Sequence, residues 1–110
     1  MSLPHPLPEQ IVLANVLSAL GDPTRLAIIA TLNRTGIPLN CGRFNEFGSK
    51  TNVSYHLAKL REAGITNTEV AGTSRLITLR RADLDALFPG LLDSVLAAAP
   101  DSTALADSEK

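Results

Sequence analysis

Apolar residues recur along this chain at two different periods, and the switches between them divide it into elements. Prolines at positions 4, 6 and 8 bar ordinary helical hydrogen bonding at the start. "EQIVLANVLSALG" then places Ile11, Val12, Val16, Leu17 and Leu20 at spacings of three and four before Gly21, predicting a first helix with a broad apolar face. A second helix is predicted over 23–35: Asp22 can cap it, Pro23 fits its first position, Leu26, Ile29, Ala30 and Leu32 face inward, and Gly36 ends it. "IPLNCGRFNEFG" is heavily punctuated and supports only a short helix over 42–47.

The next stretch, "SKTNVSYHLAKLREAGI", predicts a helix over 50–63 with Ser49 as its cap and Gly64 as its stop. With Val53 at the centre of the inward face, Leu57 and Leu60 fall beside it. Thr51, Tyr55, Ala58, Lys59 and Glu62 point away, flanked by Asn52 and Ser54. The period then changes to two. Thr66, Thr68 and Val70 alternate before "AGTS", and Leu76, Thr78 and Arg80 alternate against Ile77 and Leu79 after it, predicting an antiparallel hairpin over 67–80. An isolated hairpin is marginal in water, so this one must pack on the helices. "ADLDALFPGLLDSVLAAA" returns to helical spacing, either as one helix kinked at Pro89 or as two. Residues 1–8 read as a flexible arm, 9–99 as one domain, and the polar, acidic stretch 100–110 as a disordered tail.

Composition sharpens this outline. A chain of 110 residues supports one modest core, and three Phe, one Tyr and no Trp leave aliphatic side chains to fill it. The formal net charge of -1 hides a division: residues 43–81 hold seven basic and three acidic side chains, a net of +4, and the remainder carries -5. Such an asymmetry creates a positive face on a nearly neutral protein. The single cysteine excludes an intrachain disulfide framework and fits a reducing cytoplasm. No signal-peptide pattern and no run of eighteen apolar residues is present, so a cytoplasmic location without membrane association is expected. There is no convincing carboxylate pair, Cys/His dyad or Gly-rich phosphate loop, so no enzyme activity is expected.

A short helix, a turn and a well-capped helix followed at once by a basic hairpin form a winged helix-turn-helix, mainly α with a β-hairpin wing. A helix fits the major groove of double-stranded DNA, and an arginine-bearing hairpin reaches its backbone or minor groove. Thr51, Asn52 and Tyr55 are then the candidates for base edges; Asn52 has the paired donor and acceptor that suit adenine. Lys50, Ser54, His56 and Lys59 are assigned to phosphates, and Arg75 to the wing contact. Each assignment has a plain competitor: Asn52 as a local hydrogen-bonding residue, His56 packed with one wet ring edge, Tyr55 covering an apolar patch. Arg80 and Arg81 lie near the base of the wing, where they serve to solubilise it.

"ALGDPTRLAIIATL", "KTNVSYHLAKLREAGI" and "AGTSRLITLRRADLDAL" together resemble the ArsR-type (ArsR/SmtB-like) transcriptional repressors, over residues 10–98 and in the family order. The resemblance implies a homodimeric winged-helix repressor that binds operator DNA and is released by a signal, with the first and last helices forming a symmetric dimer interface. It also implies a structural role for Asp22, Pro23, Thr24 and Arg25, DNA contact around Ser54 and His56, packing by Leu57, operator preference at Tyr55, and a wing built on Gly72 and Arg75. This chain departs from the metal-sensing members. The positions of their cysteine pair hold Pro38 and Asn40, and residues 82–98 contain no histidine, so no metal or other cofactor is expected. The release signal is left open among a small-molecule effector at the dimer interface, a thiol oxidant, a metal in unusual ligands, or none. Cys41, before a helix N-terminus that favours a thiolate, marks one alternative, a redox-responsive repressor. A winged-helix protein-interaction module without specific DNA binding is another.

Overall fold

The computed structural model describes residues 3–99. Helix α1 spans Leu13–Leu20, α2 Pro23–Thr35, α3 Lys50–Glu62, α4 Arg81–Leu87 and α5 Leu91–Ala98. Strand β1 is Leu39–Asn40, β2 Thr66–Ala71 and β3 Ser74–Leu79, and a 3₁₀ helix covers Cys41–Phe47. The fold is mainly α-helical with a small antiparallel sheet of the winged-helix kind. One core joins Val16 and Leu20 of α1, Ile28, Ile29 and Leu32 of α2, Phe44, Leu57 and Leu60, Ile65, Ile77, and Leu84 and Leu92 of the last two helices.

Local chemistry decides α2. Asp22 Oδ2 accepts from the Arg25 backbone N–H at 3.0 Å, Pro23 needs no partner at the first position, and Gly36 closes the helix with a left-handed φ of 66°. Its predicted limits and its observed limits coincide. The first helix starts later than its periodicity predicts. Pro8–Gln10 form a 3₁₀ turn, and Ile11 and Val12 are extended before α1 begins at Leu13. Ile11 is buried against Gly64, where a Cβ would stand 2.6 Å from its Cγ1. That tertiary contact draws the chain out of helical conformation.

The hairpin gains a third strand. β1 pairs with β3 (Leu39 opposite Ile77, Asn40 opposite Leu76), giving the order β1-β3-β2. β2 and β3 run in register from Thr66–Leu79 to Ala71–Ser74 around a two-residue turn in which Gly72 has φ 64°. Ile65, Thr66, Thr68 and Ile77 turn inward, which supplies the packing that a free hairpin lacks. The last segment is two helices: Phe88 to Gly90 break the chain between α4 and α5, and Gly90 takes a left-handed φ of 83°. Arg80 and Arg81 do more than solubilise the wing's base. Arg80 bonds Asp83 and the Pro6 carbonyl, while Arg81 ties Asn33 of α2 to Asp85 of α4 and Asp93 of α5.

The arm is tied to the domain at His5 and Pro6. His5 Nε2 accepts from the Thr68 backbone N–H of edge strand β2 at 2.9 Å, in place of the water-exposed position expected of an arm residue. The tail 100–110 lies outside the described residues.

Candidate nucleic-acid interface

Helix α3 carries the candidate residues, and its register decides which of them face outward. Ser49 Oγ accepts from the Asn52 backbone N–H at 3.1 Å, fixing the start of the helix. Val53, Leu57 and Leu60 are buried on the core side. Lys50, Thr51, Asn52, Ser54, Tyr55 and Lys59 are exposed on the other, with Tyr55 retaining 53% of its surface. Lys59 Nζ lies 5.5 Å from the centre of the Tyr55 ring, within range of a cation–π contact. Lys59 and Arg61 in the last turn also suit the negative end of the helix dipole.

His56 does not join this face. It is 8% exposed, and Arg25 Nη1 approaches its Nδ1 at 3.0 Å, with Asp22 Oδ2 at 3.8 Å from the same nitrogen. A guanidinium can only donate, so the 3.0 Å contact makes Nδ1 the acceptor and places the ring proton on Nε2. Arg25 Nε also donates to the Ala19 carbonyl at 2.5 Å. One guanidinium thus fastens the end of α1, the start of α2 and the middle of α3. The Tyr55 and His56 rings meet in a T-shaped contact at a centroid distance of 5.4 Å. His56 is thus packed inside the domain, its ring held by Arg25 and met by Tyr55. The Arg25 link between helices was invisible to periodicity; the "DPTR" stretch was its only signal.

Arg75, opposite Val70 one pair from the tip of the wing, is exposed. Cys41 is a half-buried free thiol at the start of the 3₁₀ helix. A small recess of about 50 Å³ brings it together with Ser54, Arg61, Thr68 and Arg75, so it lies between α3 and the wing. Arg61 Nε is buried without a hydrogen-bond partner among the described residues. Among the described residues no cluster of three or more His, Cys, Asp or Glu is placed to hold a metal ion. None of their helices is long and apolar enough to cross a membrane.

His5 is the described group whose titration is clearly displaced. Burial lowers its pKa from 6.5; a hydrogen bond with the Leu3 backbone opposes this, and the Arg61 and Arg80 charges reinforce it.

A capped helix with a bare polar side, set beside a two-stranded wing, defines a helix-turn-helix protein. Comparison with known proteins agrees. A family profile described as a helix-turn-helix domain matches residues 20–69. The chain is 39% identical over 84 residues to the uncharacterized HTH-type transcriptional regulator YceK of Bacillus subtilis, covering 74% of this chain and 84% of that protein. It is 36% identical over 61 residues to the uncharacterized HTH-type transcriptional regulator MJ1325 of Methanocaldococcus jannaschii, covering 54% and 68% respectively. The chain belongs to the HTH-type transcriptional regulators.

Proposed function

We propose that this protein is a dimeric repressor of the ArsR/SmtB-like kind that binds operator double-stranded DNA through α3 and the β2–β3 wing. The observation that carries the reading is the division of α3. Val53, Leu57 and Leu60 hold it in the core while Thr51, Asn52 and Tyr55 stay uncovered on a side rimmed by Lys50 and Lys59. An uncovered helix of that polarity suits a major groove, and Arg75 on the wing suits the adjoining backbone. Lys50, Ser54 and Lys59 contact phosphates in this reading, and His56 positions the helix from within.

The partner copy is assigned to the α1 and α5 side. Val12, Leu13 and Leu17 of the α1 segment remain 52%, 43% and 48% exposed. Leu17, Leu20, Leu26, Val95 and Ala98 line an apolar groove of about 280 Å³ beside them. Apolar surface of this kind on a small domain marks an interaction site, and a second copy covers the same patch reciprocally about a two-fold axis.

Fluorescence anisotropy with labelled duplexes from the protein's own control region tests the reading. Binding is expected to exceed that of random duplex and to fall steeply between 50 and 200 mM salt, by roughly 10³-fold or more if six or more phosphates are engaged. Equal affinity for its own control region and random DNA at every salt concentration sinks it.

A further inference from the structure

Beside α3 lies a polar cleft of about 350 Å³, two of whose lining side chains, Tyr55 and Lys59, are also assigned to DNA. It is lined by Asn15 and Ser18 of α1, Arg25 of α2, and Tyr55, Lys59 and Glu62 of α3. Its size is at the lower end of small-molecule sites, which start near ~300 Å³. Two cations and one carboxylate face the same space, accompanied by an amide, a hydroxyl and an exposed aromatic ring.

We infer that this cleft binds a small zwitterion carrying a carboxylate, an amine and a flat apolar body, the class of an aromatic amino acid. The inference extends the proposed DNA-binding role of Tyr55 and Lys59. A simple anion meets Arg25 and Lys59 but also faces Glu62, and a simple cation faces two like charges. A zwitterion pairs its carboxylate with the basic side and its amine with Glu62, so both ends make charge-assisted hydrogen bonds. The Tyr55 ring offers its body a stacking surface. Asn15 and Ser18, which have both donors and acceptors, suit the polar atoms left over.

Placement gives such a ligand a consequence. Tyr55 and Lys59 are among the side chains assigned to DNA, and a ligand engaging them competes with a duplex for the same groups. Arg25 also holds His56 and the Ala19 carbonyl, so a carboxylate drawn to this guanidinium bears on the contact that fastens α3 to α1 and α2. The ligand therefore acts as a releasing signal, by a route separate from the face assigned to the second copy.

Isothermal titration calorimetry on the full chain without DNA, with L-phenylalanine, benzoate and phenethylamine as probes, tests the site. Phenylalanine is expected to bind ~10-fold or more tightly than either single-charge probe, since each of those forgoes one charge-assisted bond. Glu62→Gln is expected to remove the preference of phenylalanine over benzoate, and Lys59→Gln to weaken both, with circular dichroism confirming that both variants fold. No heat from phenylalanine, equal affinities for the three probes, or an unchanged preference in Glu62→Gln overturns the assignment. A second arm adds phenylalanine to the anisotropy assay. A weaker DNA affinity supports competition, and an unchanged one overturns that part while calorimetry still decides the site. Should no duplex bind at all, the DNA reading fails and the calorimetric result stands by itself.

Discussion

Asn52 and Lys59 lie two turns apart on one side of α3, and the proposed reading gives them different tasks. An amide offers a donor and an acceptor at fixed spacing, whereas an ammonium on a flexible stem is a point charge. Asn52→Ala is therefore expected to lose ~1–3 kcal/mol of discrimination at one base position while sparing non-specific binding. Lys59→Ala is expected to weaken all duplexes alike and to lower the salt slope by about 1. Anisotropy across a panel of single-base operator variants separates the two, and identical profiles for the two variants contradict the assignment. His5 supports a different residue-scale prediction. Its pKa is lowered on folding, so the unfolded chain takes up the proton first, and stability falls as pH drops below about 6.5. Protonation also removes the Nε2 lone pair that accepts from Thr68. Thermal melts at pH 7.5 and 5.5 are expected to show a larger acid-induced drop in Tm for the wild type than for His5→Gln; equal drops refute the role of His5. At this scale the outward residues of α3 were legible in the sequence because helical period alone orients them. The inward turn of His56 was not, since it lies at the border of the apolar stripe and a guanidinium from another helix decided the matter.

Elements were legible to the degree that their ends are set locally. Asp22, Pro23 and Gly36 satisfy or omit the free backbone groups of α2, and the limits of that helix follow from those three residues. The start of α1 depends instead on where Ile11 can be buried, and β1, two residues long, has no period to read. The end of α3 combines both kinds of control. Gly64 has φ 87°, and a methyl there would stand 2.6 Å from Ile11 Cγ1 and 2.7 Å from Cδ1. Gly64→Ala is thus expected to cost ~2–4 kcal/mol, from the left-handed backbone and the overpacking together. Urea denaturation measures it, and a loss below ~0.5 kcal/mol shows that neither constraint holds. The wing's Gly72 provides the comparison. It has φ 64° but open space around it, so Gly72→Ala meets only the backbone strain and is expected to cost less.

For the whole molecule the proposal requires two copies, because one α3 and one wing span a single half-site. The exposed Leu17 lies where the apolar groove meets α1. Leu17→Glu places a charge in the assigned interface and leaves the core of each copy intact. Sedimentation is expected to show the wild type as a dimer of 11.7 kDa chains and the variant as a folded monomer with ~10²-fold or greater loss of DNA affinity. A variant that remains dimeric places the interface elsewhere. The charge division has the same scale: a net of +4 over residues 43–81 reads directly from composition, but only the fold puts Lys50, Lys59 and Arg75 on neighbouring elements.

The order of helices, the wing and the amphipathic split of α3 were determined by the sequence itself, because caps, turns and periodicity act over a few residues. Tertiary structure decided the rest: the inward His56 under Arg25, the arm bound through His5 to edge strand β2, the third strand, and the cleft between α1 and α3. Each joins residues far apart in the chain, and the free energy that holds them together exists only once the elements have packed.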